Sequence, residues 1–257
     1  MSDKLETVTS LELETARDVQ NRFLPYRLPR IQGLDYCGDS RPAAGVGGDF
    51  FDFVAQGPGG LVVSVGDVSG HGIAAAILMS GMQALLRGLS SGQTYEIARV
   101  VGELNRTVYD VSPDNFFATL FYAKVDAGAR QLHYVSAGHE PALLVRRSGR
   151  GVERLDSTGT VLGLTPRALY AHRTVAFEPG DILIAFTDGV TDAVDGSGGE
   201  FRMAGILDVV RQHPGARSSD LVAFIMDAAS RFADPVDDRT VVVVRGAADH
   251  RCLSSAA

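Results

Sequence analysis

Two aspartates lie at equal distances on either side of a predicted tight turn. The segments 50–55 and 61–65 are β-rich, and Asp49 and Asp67 each stand nine residues from Pro58 in the turn that joins them. Facing residues of an antiparallel pair have α-carbons about 4.5 to 5.5 Å apart, so the two carboxylates should meet at the open end of a hairpin. Because like charges repel at that distance, the pair predicts a bound cation. The alternative is two solvated aspartates in turns.

Glycines surround each of these acids. Two glycines precede Asp49, and the segment 66–72, with the sequence Gly-Asp-Val-Ser-Gly-His-Gly, contains Asp67. Glycine permits close backbone approach and unusual φ, so carbonyl oxygens as well as carboxylates can reach an ion. The carbonyl of Val68 is therefore a candidate ligand. The glycines would otherwise serve only to shape tight turns before the helix predicted from Ile73.

A second pair of acids follows the same logic. Asp188 ends the apolar segment 181–186, and Asp237 and Asp238 precede the apolar segment 240–245. If these two strands pair antiparallel, their acidic ends coincide. An Asp-Gly dipeptide is common in turns, so each acid taken singly is more often structural. Four acids at strand ends together form the signal.

The chemistry of this set points to phosphoryl transfer. Carboxylates and a carbonyl, without converging His or Cys, favour the hard ions Mg²⁺ or Mn²⁺ over zinc or copper. Two such ions can activate a water and neutralise the charge on a phosphoryl group that undergoes displacement. The residues alone therefore predict metal-assisted hydrolysis of a phosphomonoester, without naming its substrate.

The order of elements predicts an α+β fold. The chain has 257 residues, 45% of them hydrophobic, which suits one catalytic domain with a short extension. Strand runs mixed with paired helices, rather than a strict βαβ alternation, favour mainly antiparallel sheets. The predicted strands are 34–40, 50–55, 61–65, 117–125, 131–135, 142–145, 173–177, 181–186 and 240–245, and the predicted helices are 5–23, 73–89, 95–109, 203–212 and 219–232.

The two ends of the chain differ from its centre. Apolar residues recur with an approximate helical period from Leu5 to Phe23, and Pro25 follows, which predicts an amphipathic helix. The predicted division is a linker or switch helix over 1–24, a catalytic domain over 25–246 and a disordered polar tail over 247–257.

Composition excludes several classes of partner. The net charge of −7 leaves no basic footprint for nucleic acid. The polar N-terminal segment and the interrupted apolar stretch from Gly72 to Leu86 predict neither a signal peptide nor a membrane span. Two cysteines, Cys37 and Cys252, make no disulfide framework and no thiolate metal cluster, which favours the cytoplasm.

Several short motifs in a fixed order resemble one family. The resemblance is to bacterial protein phosphatase 2C-type enzymes of the stage II sporulation protein E and RsbU group, and it runs over most of residues 16–245. It implies a four-layer α/β/β/α sandwich of two antiparallel sheets flanked by helices, with a binuclear Mn²⁺ or Mg²⁺ site at one end. The motifs are QNRFLPYRLP (20–29), PAAGVGGDFFD (42–52), GDVSGHG (66–72), SAGHEP (136–141), TDGVTD (187–192) and DDRTVV (237–242).

The resemblance also implies roles for individual residues. Asp67 would bridge both ions and the Val68 carbonyl would join one of them. Asp49 would act directly or through water, and the catalytic set is Asp67 with Asp49. The implied metal ligands are Asp49, Asp67, Val68, Asp188 and Asp237, with Asp238 included as the neighbour most easily confused with Asp237.

The activity implied by the family is hydrolysis of phosphoserine or phosphothreonine in proteins. The implied substrate is a small protein of the anti-anti-sigma type in a partner-switching pathway, and members use the N-terminal helix for dimerisation or for control by a regulatory protein. Two alternatives stay open. One is a non-catalytic partner-binding module with the same fold, and the other is a hydrolase of small phosphoesters.

Two positions depart from the eukaryotic relatives of this family. Those relatives have a His two residues after the bridging Asp, where this chain has Ser69 and carries its His later, at position 71. They also have a phosphate-binding Arg five residues before the first acid, where Ala44 stands here and Arg41 is out of register. Phosphate is therefore expected to be held chiefly by the metals. His139 is left outside the predicted catalytic set.

Overall fold

The ten strands form two antiparallel sheets, and helices cover the outer face of each. The computed structural model describes residues 2–25, 27–70, 72–91, 96–113, 116–147 and 151–247, with the backbone alone for 2–10. The helices are α1 (Ser2–Asn21), α2 (Ile73–Ser90), α3 (Ile97–Val111), α4 (Asp188–Thr191), α5 (Arg202–Gln212) and α6 (Ser218–Phe232). The strands are β1 (Leu34–Arg41), β2 (Phe50–Ala55), β3 (Gly60–Val68), β4 (Ala118–Asp126), β5 (Gln131–Ala137), β6 (Ala142–Val145), β7 (Val152–Leu155), β8 (Arg173–Ala176), β9 (Ile182–Phe186) and β10 (Arg239–Gly246).

Each sheet has five strands. Sheet 1 has the order β1-β10-β9-β6-β7, and sheet 2 has the order β2-β3-β4-β5-β8. All the ladders within the two sheets are antiparallel. The predicted α/β/β/α sandwich is therefore confirmed.

Three apolar layers hold the sandwich together. The central layer lies between the two sheets and includes Phe51, Phe121 and Leu183, all buried. A second layer packs α2 and α3 against sheet 2, and a third packs α5 and α6 against sheet 1. Successive side chains of a strand point to opposite faces of the sheet. Each sheet can therefore contribute one apolar face to the central layer and the other to its helices.

The predicted hairpin has the predicted register. Phe50 faces Gly66 across β2 and β3, so the same register continued by one residue places Asp49 opposite Asp67. The second predicted pairing is also confirmed, since Val241 of β10 faces Phe186 of β9. Both pairs of acids therefore lie at strand ends, at the same end of the sandwich.

Two elements were missed by the sequence analysis. Strand β7 has three exposed residues in four, and as an edge strand it lacks the apolar run that predicts a strand. Helix α4 is a single turn that begins at Asp188, and its Asp-Gly sequence predicts a turn instead. All the predicted helices and strands are present, with ends that differ by a few residues.

Helix α1 contacts the rest of the protein through a face that includes a polar residue. It ends at Asn21, two residues before the predicted end. Leu11 and Val19, two residues of the predicted apolar stripe, are 65% and 53% exposed. Gln20 is buried, and a Cβ placed on Gly45 would lie 2.5 Å from the Leu13 side chain. The contact face therefore runs through Leu13 and Gln20, and Leu11 and Val19 stay exposed.

Among the described helices, α2 alone is long and apolar enough to cross a membrane by length and composition. Its buried residues include Ala75, Met79, Met82 and Leu86, which belong to the layer between α2, α3 and sheet 2. The packing of this face is that of a core helix in the sandwich.

Candidate metal centre

Acids from both sheets meet at one end of the sandwich. Asp67, on sheet 2, has its pKa raised to about 7, first by burial and then by Asp188, Asp237 and Asp238, which border sheet 1. A carboxyl group responds in this way only to negative charges that lie close to it. Gly48, the residue before Asp49, also donates its amide to Asp238 over 2.7 Å, so the two pairs of acids lie at the same end of the sandwich.

Asp49 is the most deeply buried acid of the group. It is 6% exposed, and burial followed by the charge of Asp67 raises its pKa well above the ordinary value. Two hydroxyl groups oppose this shift, because Thr187 Oγ1 and Thr240 Oγ1 donate hydrogen bonds of 2.7 and 2.8 Å to Asp49 Oδ2. Since both threonines belong to sheet 1 or its edge, these bonds tie Asp49 to the opposite sheet.

The two threonines were missed by the sequence analysis. Thr187 is the residue before Asp188, and Thr240 follows Asp237 by three positions, so both lie inside motifs already quoted. The Thr240 amide also donates to Thr187 Oγ1 over 3.0 Å. For Thr187, the hydroxyl directly beside an acid at a strand end was the available signal.

Asp237 and Asp238 occupy different positions. Ala43 and Gly48 donate their amides to the two carboxylate oxygens of Asp238, over 2.8 and 2.7 Å. Asp237 Oδ1 accepts only the amide of its neighbour, Asp238, among the described contacts, over 2.8 Å. Asp238 thus anchors the loop before Asp49, and Asp237 is the freer carboxylate.

Glycine allows that loop to lie close to the end of β3. A Cβ built on Gly48 would stand 2.7 Å from the carbonyl oxygen of Val68. One built on Gly47 would collide with the carboxylate of Asp238. Larger residues would therefore push the loop away from both groups. The close contact between this loop and the Val68 carbonyl depends on these glycines.

Two further acids border the site on the side of Asp188. Burial raises the pKa of Asp188, and Asp237 and then Asp192 add to the shift. The pKa of Glu140 is also raised, by burial and then by Asp192 and Asp188. Asp192 and Glu140 both lie in quoted motifs, but neither belongs to the four acids predicted from strand ends.

His139 is a buried neutral neighbour of the acids. It is 5% exposed, and burial lowers its pKa to about 4. Its Nδ1 lies 2.7 Å from Thr119 Oγ1, and Thr119 faces Asp67 across the β3–β4 ladder. This position suits a role in packing the end of sheet 2.

Of the residues at the two departures from the family pattern, Ser69 and Arg41 bind other parts of the protein. Ser69 donates its amide to the Phe117 carbonyl, and its Oγ accepts the Phe117 amide, so it fastens the loop to the start of β4. Arg41 pairs with Asp39 at 2.9 Å and with Asp227 at 3.8 Å. His71 lies outside the described residues, as does Cys252.

The donor set fits a hard divalent cation by its chemistry. Carboxylates that raise one another's pKa are stabilised by a positive charge placed between them. As they stand, the described His, Cys, Asp and Glu side chains include no group of three that already surrounds one ion position. The assignment of individual ligands therefore belongs to the proposal below.

Cavities of about 400, 550 and 700 Å³ lie away from these acids. One is lined by Pro58, at the turn end of the β2–β3 hairpin, and another by Ile182, at the start of β9. These cavities occupy the other end of the strands and include none of the predicted site residues.

A family model matches most of the chain. The model of stage II sporulation protein E matches residues 57–246, which is more than half of the chain. The chain belongs to the stage II sporulation protein E family. Members of this family are the phosphatases that the motifs resemble, and metal dependence is implied by homologues of the protein phosphatase 2C type.

Curated relatives in this family cover the chain to different extents. Protein IcfG of Synechocystis sp. is 32% identical over 72% of this chain and 33% of its own length. Phosphoserine phosphatase RsbU of Bacillus subtilis is 29% identical over 91% of this chain and 70% of its own length. The chain thus spans about a third of the first relative and over two thirds of the second.

Two solved structures share the sandwich. The RsbU and RsbW domains of Rv1364c from Mycobacterium tuberculosis match with a TM-score of 0.74 and 28% identity, over 86% of this chain and 62% of that one. The catalytic domain of the serine/threonine phosphatase PstP, in complex with two manganese ions, matches with a TM-score of 0.64 and 15% identity, over 84% of this chain and 99% of that one. The second likeness concerns the fold alone.

Proposed function

We propose that this chain is a metal-dependent serine/threonine phosphoprotein phosphatase. The observation that carries the proposal is the meeting of carboxylates from two separate sheets, where burial and then the charges of Asp188, Asp237 and Asp238 raise the pKa of Asp67 to about 7. A cluster of this kind costs free energy unless a cation compensates it, so it is better explained by function than by stability. Relatives that carry the name phosphoserine phosphatase support the reaction class.

The proposed ligands follow from where each oxygen lies. We assign Asp67 to both ions because the charges of Asp188 and Asp237 act on it and its own charge acts on Asp49, and we assign Asp188 and Asp237 to the side of sheet 1. The Val68 carbonyl lies under the loop before Asp49. Bound Mn²⁺ or Mg²⁺, two ions in the proposal, would activate a water and neutralise charge on the phosphoryl group.

The remaining residues hold this arrangement in place. Thr187 and Thr240 orient the Asp49 carboxylate, so we propose that Asp49 acts on the site partly through water and is the least direct ligand. Asp238 keeps both oxygens on loop amides, which favours Asp237 as the ligand of the two. Arg41 is paired with acids, so the phosphate of the substrate is held chiefly by the metals.

We further propose that the substrate is a phosphorylated protein of the anti-anti-sigma type. The support is the group of relatives, since RsbU and RsbP bear the name phosphoserine phosphatase and a matched structure joins RsbU and RsbW domains. The side of α1 that exposes Leu11 and Val19 is the proposed surface for a second copy or a regulatory protein. The cytoplasm is the proposed location.

The test is phosphatase activity on a phosphoserine protein with and without metal. EDTA should abolish activity, and Mn²⁺ or Mg²⁺ should restore it. Asp67→Asn and Asp188→Asn should each lose activity by about 100-fold or more while keeping the fold. Asp208→Asn, an exposed acid of α5 that pairs with Arg211, is the matched control and should stay active. Full activity in either site variant would refute the assigned roles.

Two alternatives are separated by the same assay. A hydrolase of small phosphoesters would turn over p-nitrophenyl phosphate far better than a phosphoserine protein, each compared by kcat/KM. A non-catalytic partner-binding module would hydrolyse neither substrate under any metal condition. The proposed function requires metal-dependent turnover of the phosphoprotein.

A further inference from the structure

Arg239 is a buried cation in the middle of the acidic segment. It is 2% exposed and stands between Asp238, which anchors the loop before Asp49, and Thr240, which binds Asp49 itself. Its guanidinium donates to two backbone carbonyls, from Nε to Gly189 over 3.0 Å and from Nη2 to Ala233 over 3.1 Å. Arg239 therefore joins the residue after Asp188 to the end of α6.

The contact with Gly189 bears directly on Asp188. Gly189 is buried, and its backbone lies so close to the Asp238 carbonyl that it leaves no room for a Cβ. The position of the Asp188 backbone is thus fixed on one side by Asp238 and on the other by the guanidinium of Arg239. A shift of the Gly189 carbonyl would move the Asp188 carboxylate with it.

The burial of Arg239 is costly for a residue that serves packing alone. Burial lowers its pKa, opposed by the charge of Asp234, and its Nη1 has no hydrogen-bond partner among the described residues. Removing a guanidinium from water without an acceptor for each donor is unfavourable. An apolar side chain of similar size would avoid this cost, but it would make neither carbonyl contact.

We propose that Arg239 is a positioning residue that holds the Gly189 carbonyl, and through it Asp188, in the arrangement that binds metal. This inference rests on the proposed metal centre, and it assigns a role to a residue outside the ligand set. The rival explanation is that Arg239 only stabilises the end of α6 through Ala233, where a cation is favourable for a helix C-terminus. That role would affect stability and leave metal affinity unchanged.

Arg245 offers a matched control on the same strand. Residues 239 and 245 share one face of β10 with Val241 and Val243, which pack in the layer of α5 and α6. Arg245 also donates to a backbone carbonyl, that of Pro214 over 3.3 Å, and burial lowers its pKa too. It faces the start of β9, so it lies at the end of the sheet away from the acids.

The experiment compares Arg239→Met with Arg245→Met. The Kd for Mn²⁺ is measured by titration calorimetry without substrate, and thermal stability is measured in EDTA. We expect Arg239→Met to weaken Mn²⁺ binding by about 10- to 100-fold, in the range for residues that orient metal ligands, and Arg245→Met to leave it unchanged. Arg239→Lys, which can reach only one of the two carbonyls, guards against misfolding and should show an intermediate loss.

The outcomes separate this inference from the proposed function. Wild-type affinity for Mn²⁺ in folded Arg239→Met, or equal losses in both Met variants, would overturn the positioning role even if the wild type is an active phosphatase. A wild type that binds Mn²⁺ but hydrolyses no phosphoprotein would refute the proposed function and leave the positioning role intact. Weaker binding confined to the Arg239 variants supports it.

Discussion

At the scale of single residues, the acids oppose the stability of the metal-free protein. The pKa of Asp67 is raised from 3.8 to about 7, and the pKa values of Asp49, Asp188 and Glu140 move in the same direction. The folded state therefore holds protons that the unfolded state releases as pH rises above the unfolded pKa. Between the unfolded pKa of 3.8 and the folded pKa of about 7 for Asp67, the folded protein loses stability as pH rises, because the unfolded state binds fewer protons.

Asp67→Asn should consequently stabilise the metal-free protein at higher pH. In EDTA, we expect the variant and the wild type to unfold at similar denaturant concentrations near about pH 4, close to the unfolded pKa, and the variant to be more stable by about 1 to 3 kcal/mol near about pH 8. Denaturant unfolding at both pH values measures the difference. Asp208→Asn is the control, and it should show no such divergence.

A stability difference between wild type and Asp67→Asn that shrinks as pH rises would contradict this prediction. With Mn²⁺ present the order should reverse, because the variant lacks a carboxylate that the cation needs. The same residue is then unfavourable without the metal and favourable with it, as expected for a ligand that is selected for function.

The residues that the sequence predicts are those related by local spacing. Asp49 and Asp67 could be paired because a hairpin turn lies midway between them, and that register is observed. Thr187 and Thr240 could not be assigned to Asp49, because their hydrogen bonds cross from one sheet to the other. Such contacts depend on how the sheets stack, which periodicity along one strand does not encode.

At the scale of elements, α1 is fastened to the loop before Asp49. Gln20 donates from Nε2 to the Gly47 carbonyl over 2.7 Å, and the Gly47 amide donates back to Gln20 Oε1 over 3.0 Å. The same helix leaves Leu11 and Val19 exposed. One face thus contacts the loop that Asp238 anchors, and another is available to a partner.

Substitutions on the two faces of α1 should have separable effects. Gln20→Leu removes both hydrogen bonds to Gly47, and each lost bond to a buried group costs about 1 to 3 kcal/mol locally. The variant should therefore bind Mn²⁺ several-fold more weakly. It should have little effect on self-association. Leu11→Glu with Val19→Glu should leave Mn²⁺ binding unchanged and abolish any dimer. Light scattering at micromolar concentration and calorimetry measure these two properties.

A wild type that is monomeric at that concentration, with a mass unaffected by the Glu substitutions, would count against self-association through α1. The sequence predicted this helix from the period of its apolar residues, of which Leu11 and Val19 are exposed in the structure. The period of apolar residues identifies a helix, but it does not say which side meets the protein when a polar residue such as Gln20 makes the buried contact. The same limit explains α4, whose single turn carries no period at all.

At the scale of the whole molecule, the acids make the two sheets interdependent. Asp49 and Asp67 come from the β2–β3 hairpin of sheet 2, whereas Asp188 and Asp237 lie at the ends of β9 and β10 in sheet 1. The sequence could predict both pairs separately, and the family resemblance placed them at one end. A cation bound among them would join the two layers and stabilise the folded state over the unfolded one.

Mn²⁺ should therefore raise the melting temperature of the protein. At about 100 times its Kd, a ligand that binds only the folded state adds about 2.7 kcal/mol, which corresponds to roughly 5 to 10 °C for a chain of this size. Asp67→Asn on sheet 2 and Asp188→Asn on sheet 1 should each remove most of this shift. Because the two acids serve one shared site, the double variant should lose little more than either single variant. Calorimetric melting with and without Mn²⁺ decides the matter, since losses that add up would indicate independent sites on the two sheets.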